Sequence, residues 1–203
     1  MNNIQRWDHE LIFQYIEPGS SVLDLGCGSG ELLARLIKDK QVRGQAVETD
    51  PLRVSEAIQN GTAVYQKDLD LGLEEFNSKS FNYVVLEKTL QVLYRPMLVL
   101  EEMLRIGQVC FISFPNFSYK GVVEKFIQTG RMPVTASLPH QWHDTPNIHL
   151  FTLYDFLDWL GDYRVEVVEG IAYDGKNVRS LVLPEDGSEA EELLFVLRFD
   201  QER

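Results

Sequence analysis

The chain has 203 residues, 44% of them hydrophobic and 11% aromatic, enough to bury a substantial core and suited in length to one α/β domain. Its formal net charge of -12 disfavours attraction to phosphate backbones and anionic lipid heads, so neither nucleic acid nor membrane is an expected partner. The N-terminal stretch lacks a basic n-region, and nowhere do about eighteen apolar residues run together, so a cytoplasmic protein is expected.

Ile4, Trp7, Leu11, Ile12, Tyr15 and Ile16 recur at three- and four-residue spacing and predict an amphipathic helix ending before Pro18-Gly19. Such a helix either packs on the core or covers a ligand pocket. Val22 to Leu33, VLDLGCGSGELL, then reads as strand, glycine turn and helix. Gly26, Gly28 and Gly30 suit a turn in which a ligand lies against backbone, and the N–H groups at the start of the following helix are left free to face it. Val42 to Val47 predicts a second strand, closed by Glu48-Thr49-Asp50-Pro51. Glu48 lies about twenty residues beyond the glycine turn, the spacing at which an acid holds a ribose. Asp50 competes for that role, but before Pro51 it serves as a helix N-cap.

Ala63 to Tyr65 predicts a third strand, and Asp68 after it is placed to accept from an exocyclic amino group such as that of adenine. A turn or helix cap suits Asp68 nearly as well, and suits Asp70 better than the ligand role. Phe81 to Leu86 is a nearly continuous apolar run, as in a parallel strand buried on both faces, and Glu87 to Gln91 follow at its ligand-facing end. A helix from Pro96 to Gly107 and a fifth strand, Val109 to Phe114, complete a β-α-β alternation that predicts a doubly wound sheet. Cys27, in the glycine turn, and Cys110, in the fifth strand, lack metal-ligand spacing and read as reduced thiols.

Residues 115–150 break the pattern. A helix from Val122 to Thr129 is followed by a stretch rich in proline, histidine and aromatics that holds His140, His143 and His149. Long connections of this kind form lids or binding surfaces. A histidine here could act as a general base or orient a substrate, or could satisfy buried carbonyls. Thr152 to Asp155 resembles a capping box opening another helix, Arg164 to Val168 predicts a sixth strand, and Leu193 to Phe199 a last strand placed antiparallel at the sheet edge.

Val22 to Gly30 with Glu48, Asp68 and the FNYVVL strand resembles the Rossmann-like class I S-adenosylmethionine-dependent methyltransferase fold. This resemblance implies an α/β fold with a seven-stranded, mostly parallel sheet, an antiparallel last strand and helices on both faces. The Gly26-x-Gly28-x-Gly30 pattern departs from the dinucleotide-binding fingerprint and weighs against a dehydrogenase. SFPNF (Ser113 to Phe117), GRMPVT (Gly130 to Thr135), LP-x-x-W (Leu138 to Trp142) and DTPNIHL (Asp144 to Leu150) are similar to the methionine biosynthesis protein W (MetW) family, from about Trp7 to Trp159.

The resemblance implies S-adenosylmethionine or S-adenosylhomocysteine as ligand, with Asp24, Gly26, Gly28 and Gly30 at its methionine end, Glu48 on the ribose, and Asp68 with the Leu69 backbone at the adenine. It also implies a role beside homoserine O-acyltransferase in methionine biosynthesis, with residues 115–150 of a single domain, 1–203, as the lid or partner loop. If the protein instead transfers methyl groups to a small acceptor, Gln91, Asn147 and His149 are the acceptor-side candidates. Glu87-Lys88, where relatives commonly carry small or uncharged polar residues, and His140 and His143, where they commonly carry tyrosines, depart from the family pattern.

Overall fold

A computed structural model describes residues 6–163 and 165–199. Ile4 of the expected first helix and Arg164 of the expected sixth strand lie outside the described residues. The elements run α1 (Trp7–Tyr15), β1 (Ser21–Leu25), α2 (Glu31–Lys40), β2 (Arg43–Glu48), α3 (Pro51–Gln59), β3 (Ala63–Gln66), β4 (Phe81–Glu87), α4 (Pro96–Ile106), β5 (Gly107–Pro115), α5 (Lys120–Thr129), α6 (Leu153–Asp162), β6 (Val165–Tyr173), β7 (Val178–Ser180), a short helix (Asp186–Glu189) and β8 (Glu192–Phe199). They form one sheet in the order β3-β2-β1-β4-β5-β8-β6-β7. The first five strands are parallel, and β8 runs antiparallel to both β5 and β6.

Two details differ from the sequence expectation. The last strand does not lie at the edge; it is inserted between β5 and β6, and Glu192 to Leu197 are all buried. Its continuous apolar run, Leu193 to Leu197, is the pattern of a strand covered on both faces, as in β4. The sheet also has eight strands where seven were expected, because Val178–Ser180 pairs with the end of β6. Three residues are too few for a period-two pattern to register.

Alternation along the central strands builds two cores. Leu23, Leu25, Val84, Leu86, Ile112 and Phe114 face one layer, which α4 and α6 cover with Leu100, Met103, Phe156 and Leu160. Val22, Tyr83, Val85 and Phe111 face the other, against Ile12 and Ile16 at α1 and Leu33 and Leu36 of α2. Local capping follows the expected chemistry. Asp50 accepts from Leu52 N at 2.8 Å, and Thr152 and Asp155 form a reciprocal capping box. Among the described residues, no helix is long and apolar enough to cross a membrane.

Phe114 is fully buried among the rings of Phe151, Phe156 and Phe195. Truncating it to Ala removes most of those contacts and leaves a cavity, so Phe114→Ala is expected to lower unfolding free energy by about 3–5 kcal/mol in a urea titration.

Candidate functional site

The parallel strands end at one level, and their last residues meet. Leu25 pairs with Val47 of β2 and Leu86 of β4, which sets Asp24, Glu48 and Glu87 around the turn that follows β1. That turn crosses over the end of β2, with Gly26 N and Cys27 N donating to Val47 O at 2.8 and 3.3 Å. Gly26 has φ 73°, and a Cβ there would lie 2.7 Å from Thr89 Oγ1, so side-chain clash and backbone conformation both demand glycine. Gly28, at φ 55°, differs in that an added Cβ would meet nothing within 4 Å. The space above Gly28 is open to a ligand.

Glu48 organises this turn. Its Oε2 accepts from Gly28 N at 2.9 Å, and its Oε1 accepts from Thr49 N and Asp50 N at 2.7 and 3.0 Å. Gly30 stands behind the turn against Ala57 and Thr62, in the left-handed conformation that opens α2 without a side-chain cap. The first N–H groups of α2 are therefore uncapped by side chains at the turn.

A cleft opens on each side of Gly26. One lobe, about 300 Å³, is lined by Glu48, Asp68, Leu69, Thr89, Leu93 and Tyr94. The other, about 260 Å³, is lined by Asp24, Cys27, Gly28, Glu87, Arg53 and, from the head of α1, Arg6 and His9. Thus the structure brings Asp24, Gly26, Gly28, Glu48, Asp68 and Leu69 to one cleft, with Gly30 backing it. Asp68 also caps the turn of 3₁₀ helix Leu69–Leu71, accepting from Asp70 N at 2.9 Å. Asp70 accepts from Tyr94 N and Arg95 N, which fastens the rim of the cleft to the start of α4.

The sequence reading did not single out the cluster that closes the second lobe. Arg6 donates through Nε and NH2 to the two carboxylate oxygens of Asp8, at 3.0 and 2.6 Å, and lies 3.6 Å from Glu87. His9 Nε2 is 3.1 Å from Glu87 Oε2, and Ser113 Oγ donates to the fully buried Asp8 at 3.2 Å. Lys88, in the left-handed region at φ 49°, pairs with Glu192 at 2.7 Å, and Glu192 also accepts from Trp7 Nε1. The first helix therefore covers the cleft as well as packing on the core. Its signal was Arg6 and His9, three residues apart on a helix head otherwise read for its apolar stripe.

Electrostatics follow from burial. Asp24 is buried and faces Glu87 and Glu48, so desolvation first and like charge second push its carboxyl up to about 8, against a smaller opposing pull from Arg6. Burial would also raise Asp8, but the hydrogen bond and charge of Arg6, with Lys88 and His9, outweigh it and hold that carboxyl below its ordinary range. Cys27 is pushed up to about 12 by burial and by Asp24 and Glu48, which leaves a thiol and not a nucleophilic thiolate in the turn.

The three acceptor-side candidates fall elsewhere. Gln91 is buried, with Nε2 donating to Lys88 O at 2.6 Å, and its carbonyl accepts from Ile148 N and His149 N at 2.8 and 3.0 Å. His149 is exposed on the rim of an apolar groove with Met97, Phe151, Phe156 and Trp159. Asn147 lines a second groove with Trp142 and His140, and the ring of His143 meets Trp142 edge-on. Gln91 and His149 thus meet through backbone, and none of the three candidates lines the cleft.

Strand order and cleft position define a class I methyltransferase-like fold, and solved structures agree. An S-adenosylmethionine-dependent methyltransferase from Thermotoga maritima superposes with a TM-score of 0.70 at 12% identity, over 95% of this chain and 88% of that one. A methyltransferase of the same dependence from Aquifex aeolicus gives 0.64 at 14% identity, over 98% and 93%. The [4+2]-cyclase SpnF gives 0.68 at 13% identity, over 98% and 85%. The family model for "Methionine biosynthesis protein MetW" matches residues 6–195, and the chain belongs to that family. It is 37% identical over 177 residues to the bifunctional methionine biosynthesis protein MetXA/MetW of Rhodopirellula baltica, a match that covers 82% of this chain and 28% of that relative's length.

The pH dependence of stability should report Asp24. A carboxyl at about 8 in the folded protein, against 3.8 ordinarily, keeps a proton that the unfolded chain releases. Its contribution is full below the unfolded value and is lost as pH rises through about 8. Thermal melts are expected to fall for the wild type between pH 6 and pH 9, and to fall less for Asp24→Asn.

Proposed function

We propose that this protein binds S-adenosylmethionine or its demethylated product in the cleft and acts as a ligand-responsive accessory to homoserine O-acyltransferase in methionine biosynthesis. The observation that carries the reading is the convergence of three strand-end acids on a glycine turn with open space above Gly28. The residues present suit the ligand. A buried Asp24 held protonated beside Glu87 gains from a cationic partner, which would draw its proton off, and Arg6 offers a guanidinium to a carboxylate. The uncapped head of α2 adds backbone donors. Glu48 uses three of its about four acceptor positions on backbone N–H groups, so ribose hydroxyls would take the remaining one and compete with Gly28 N. Asp68 keeps one carboxylate oxygen for an exocyclic amine, beside the Leu69 backbone.

When bound, the ligand supplies an activated methyl group. Methyl transfer would need an acceptor positioned in line with it, in a water-excluded pocket. Gln91, Asn147 and His149 are the acceptor-side residues of that second reading, and their places outside the cleft favour the accessory role. A shared fold does not decide the matter, since a [4+2]-cyclase has it too. The partnership is supported by the MetXA/MetW relative, in which a MetW part and a MetXA part share one chain.

Isothermal titration with S-adenosylmethionine tests the cleft. The wild type is expected to bind with release of close to one proton at pH 7, read from buffers of different ionisation enthalpy, and binding should tighten up to tenfold per pH unit toward pH 8. Glu48→Ala and Gly28→Ala are each expected to weaken binding at least tenfold while the protein still melts cooperatively. Absence of binding by the wild type would overturn the reading.

A further inference from the structure

The helix α5 is amphipathic in sequence but inverted in place. Its apolar residues Val123, Phe126 and Ile127 lie at i, i+3 and i+4 on one stripe, and only Val122 is buried. Ile127 is 75% exposed, and Trp142, in the groove that Phe117 and Met132 also line, is 77% exposed. An apolar stripe and groove on one insertion, turned to solvent, is the signature of a surface that another protein covers.

The insertion is also held rigidly. The side chain of Asn116 accepts from Leu153 N at 3.3 Å and donates to Gly187 O and Ala190 O, which ties the two ends of the segment together. Glu191 accepts from Ser137 Oγ at 2.9 Å, and Gln91 O accepts from Ile148 N and His149 N. A surface already ordered loses little entropy on docking. Its charge is also unlike the rest of the molecule. Residues 117–150 carry three basic side chains (Lys120, Lys125, Arg131) and two acidic ones (Glu124, Asp144), in a chain with 19 basic and 31 acidic residues. The insertion thus lacks the acidic excess of the chain as a whole.

We infer that the outward stripe of α5, with the Trp142 groove, is the docking surface for the acyltransferase module that the bifunctional relative carries on the same chain. This deepens the partnership proposed above and rests on it. Apolar anchors ringed by polar side chains then carry the contact, and neither lobe of the cleft is lined by residues of the insertion.

The test mixes the full chain with the homoserine O-acyltransferase of the same organism and measures affinity by sedimentation velocity. Ile127→Asp and Trp142→Ala are expected each to weaken association at least tenfold, with Ile58→Asp, an exposed apolar position on α3 outside the insertion, within twofold of the wild type. Circular dichroism melts and S-adenosylmethionine titrations of the variants should match the wild type. If the wild type associates and neither Ile127→Asp nor Trp142→Ala weakens it, the docking surface is overturned while the partnership stands. If the wild type does not associate, the partnership itself fails and the surface with it. If Ile127→Asp instead breaks a homodimer and leaves the acyltransferase contact intact, the stripe belongs to a second copy and the inference is overturned.

Discussion

Parallel strands in register deliver their last residues to one place, and here those residues are carboxylates. Asp24 near the end of β1, Glu48 at the end of β2 and Glu87 at the end of β4 crowd about a turn of three glycines. Three such charges cannot all remain ionised in a buried setting without compensation. The molecule compensates in three ways. Glu48 accepts from three backbone N–H groups, Glu87 faces His9 and Arg6 of the covering helix, and Asp24 retains its proton. Most of what is distinctive around the cleft follows from that crowding, including the choice of a basic residue and a histidine at the head of α1.

The sheet, its parallel order and the glycine turn were legible because each rests on local pattern. Apolar runs, glycine spacing, the Asp50 cap and the Thr152-Asp155 capping box need no knowledge of distant residues. The ends of β1, β2 and β3 placed six cofactor-side candidates in one cleft for the same reason. What the sequence left unread involves long separations. Asp8 reads as a solvated helix residue until Ser113 and Arg6 are found around it, and Glu192 reads as a loop charge until Trp7 and Lys88 are found on it. The interior place of β8 was available from its apolar run, by the reasoning applied to β4. The loop histidines drew attention that belonged equally to His9, since composition marks a chemically varied loop more loudly than one histidine in a helix.

A fold of this class hosts methyl transfer in some neighbours and a cycloaddition in another, so chemistry is decided by what else the cleft holds. In this chain the cleft carries Asp24, Glu48, Asp68 and Glu87, whereas His140, His143 and His149 of residues 115–150 are exposed outside it. Asn116 spends its hydrogen bonds holding backbone, and Gln91 donates through Nε2 to Lys88 O while its Oε1 is buried without a partner. That division is the basis of the accessory role proposed above.

The covering helix also constrains the order in which the molecule can be completed. α1 precedes the other described elements, yet its Trp7 is anchored to Glu192, 185 residues later, and its Asp8 to Ser113, 105 residues later. Contacts of such separation close late, after the sheet that carries them. The lobe beneath Arg6 and His9 is therefore complete only when α1, β5 and β8 are all in place. The central strands and the cover of the cleft thus depend on different reaches of the chain, the β1 turn on its neighbours and the cover on residues 105 and 185 positions away.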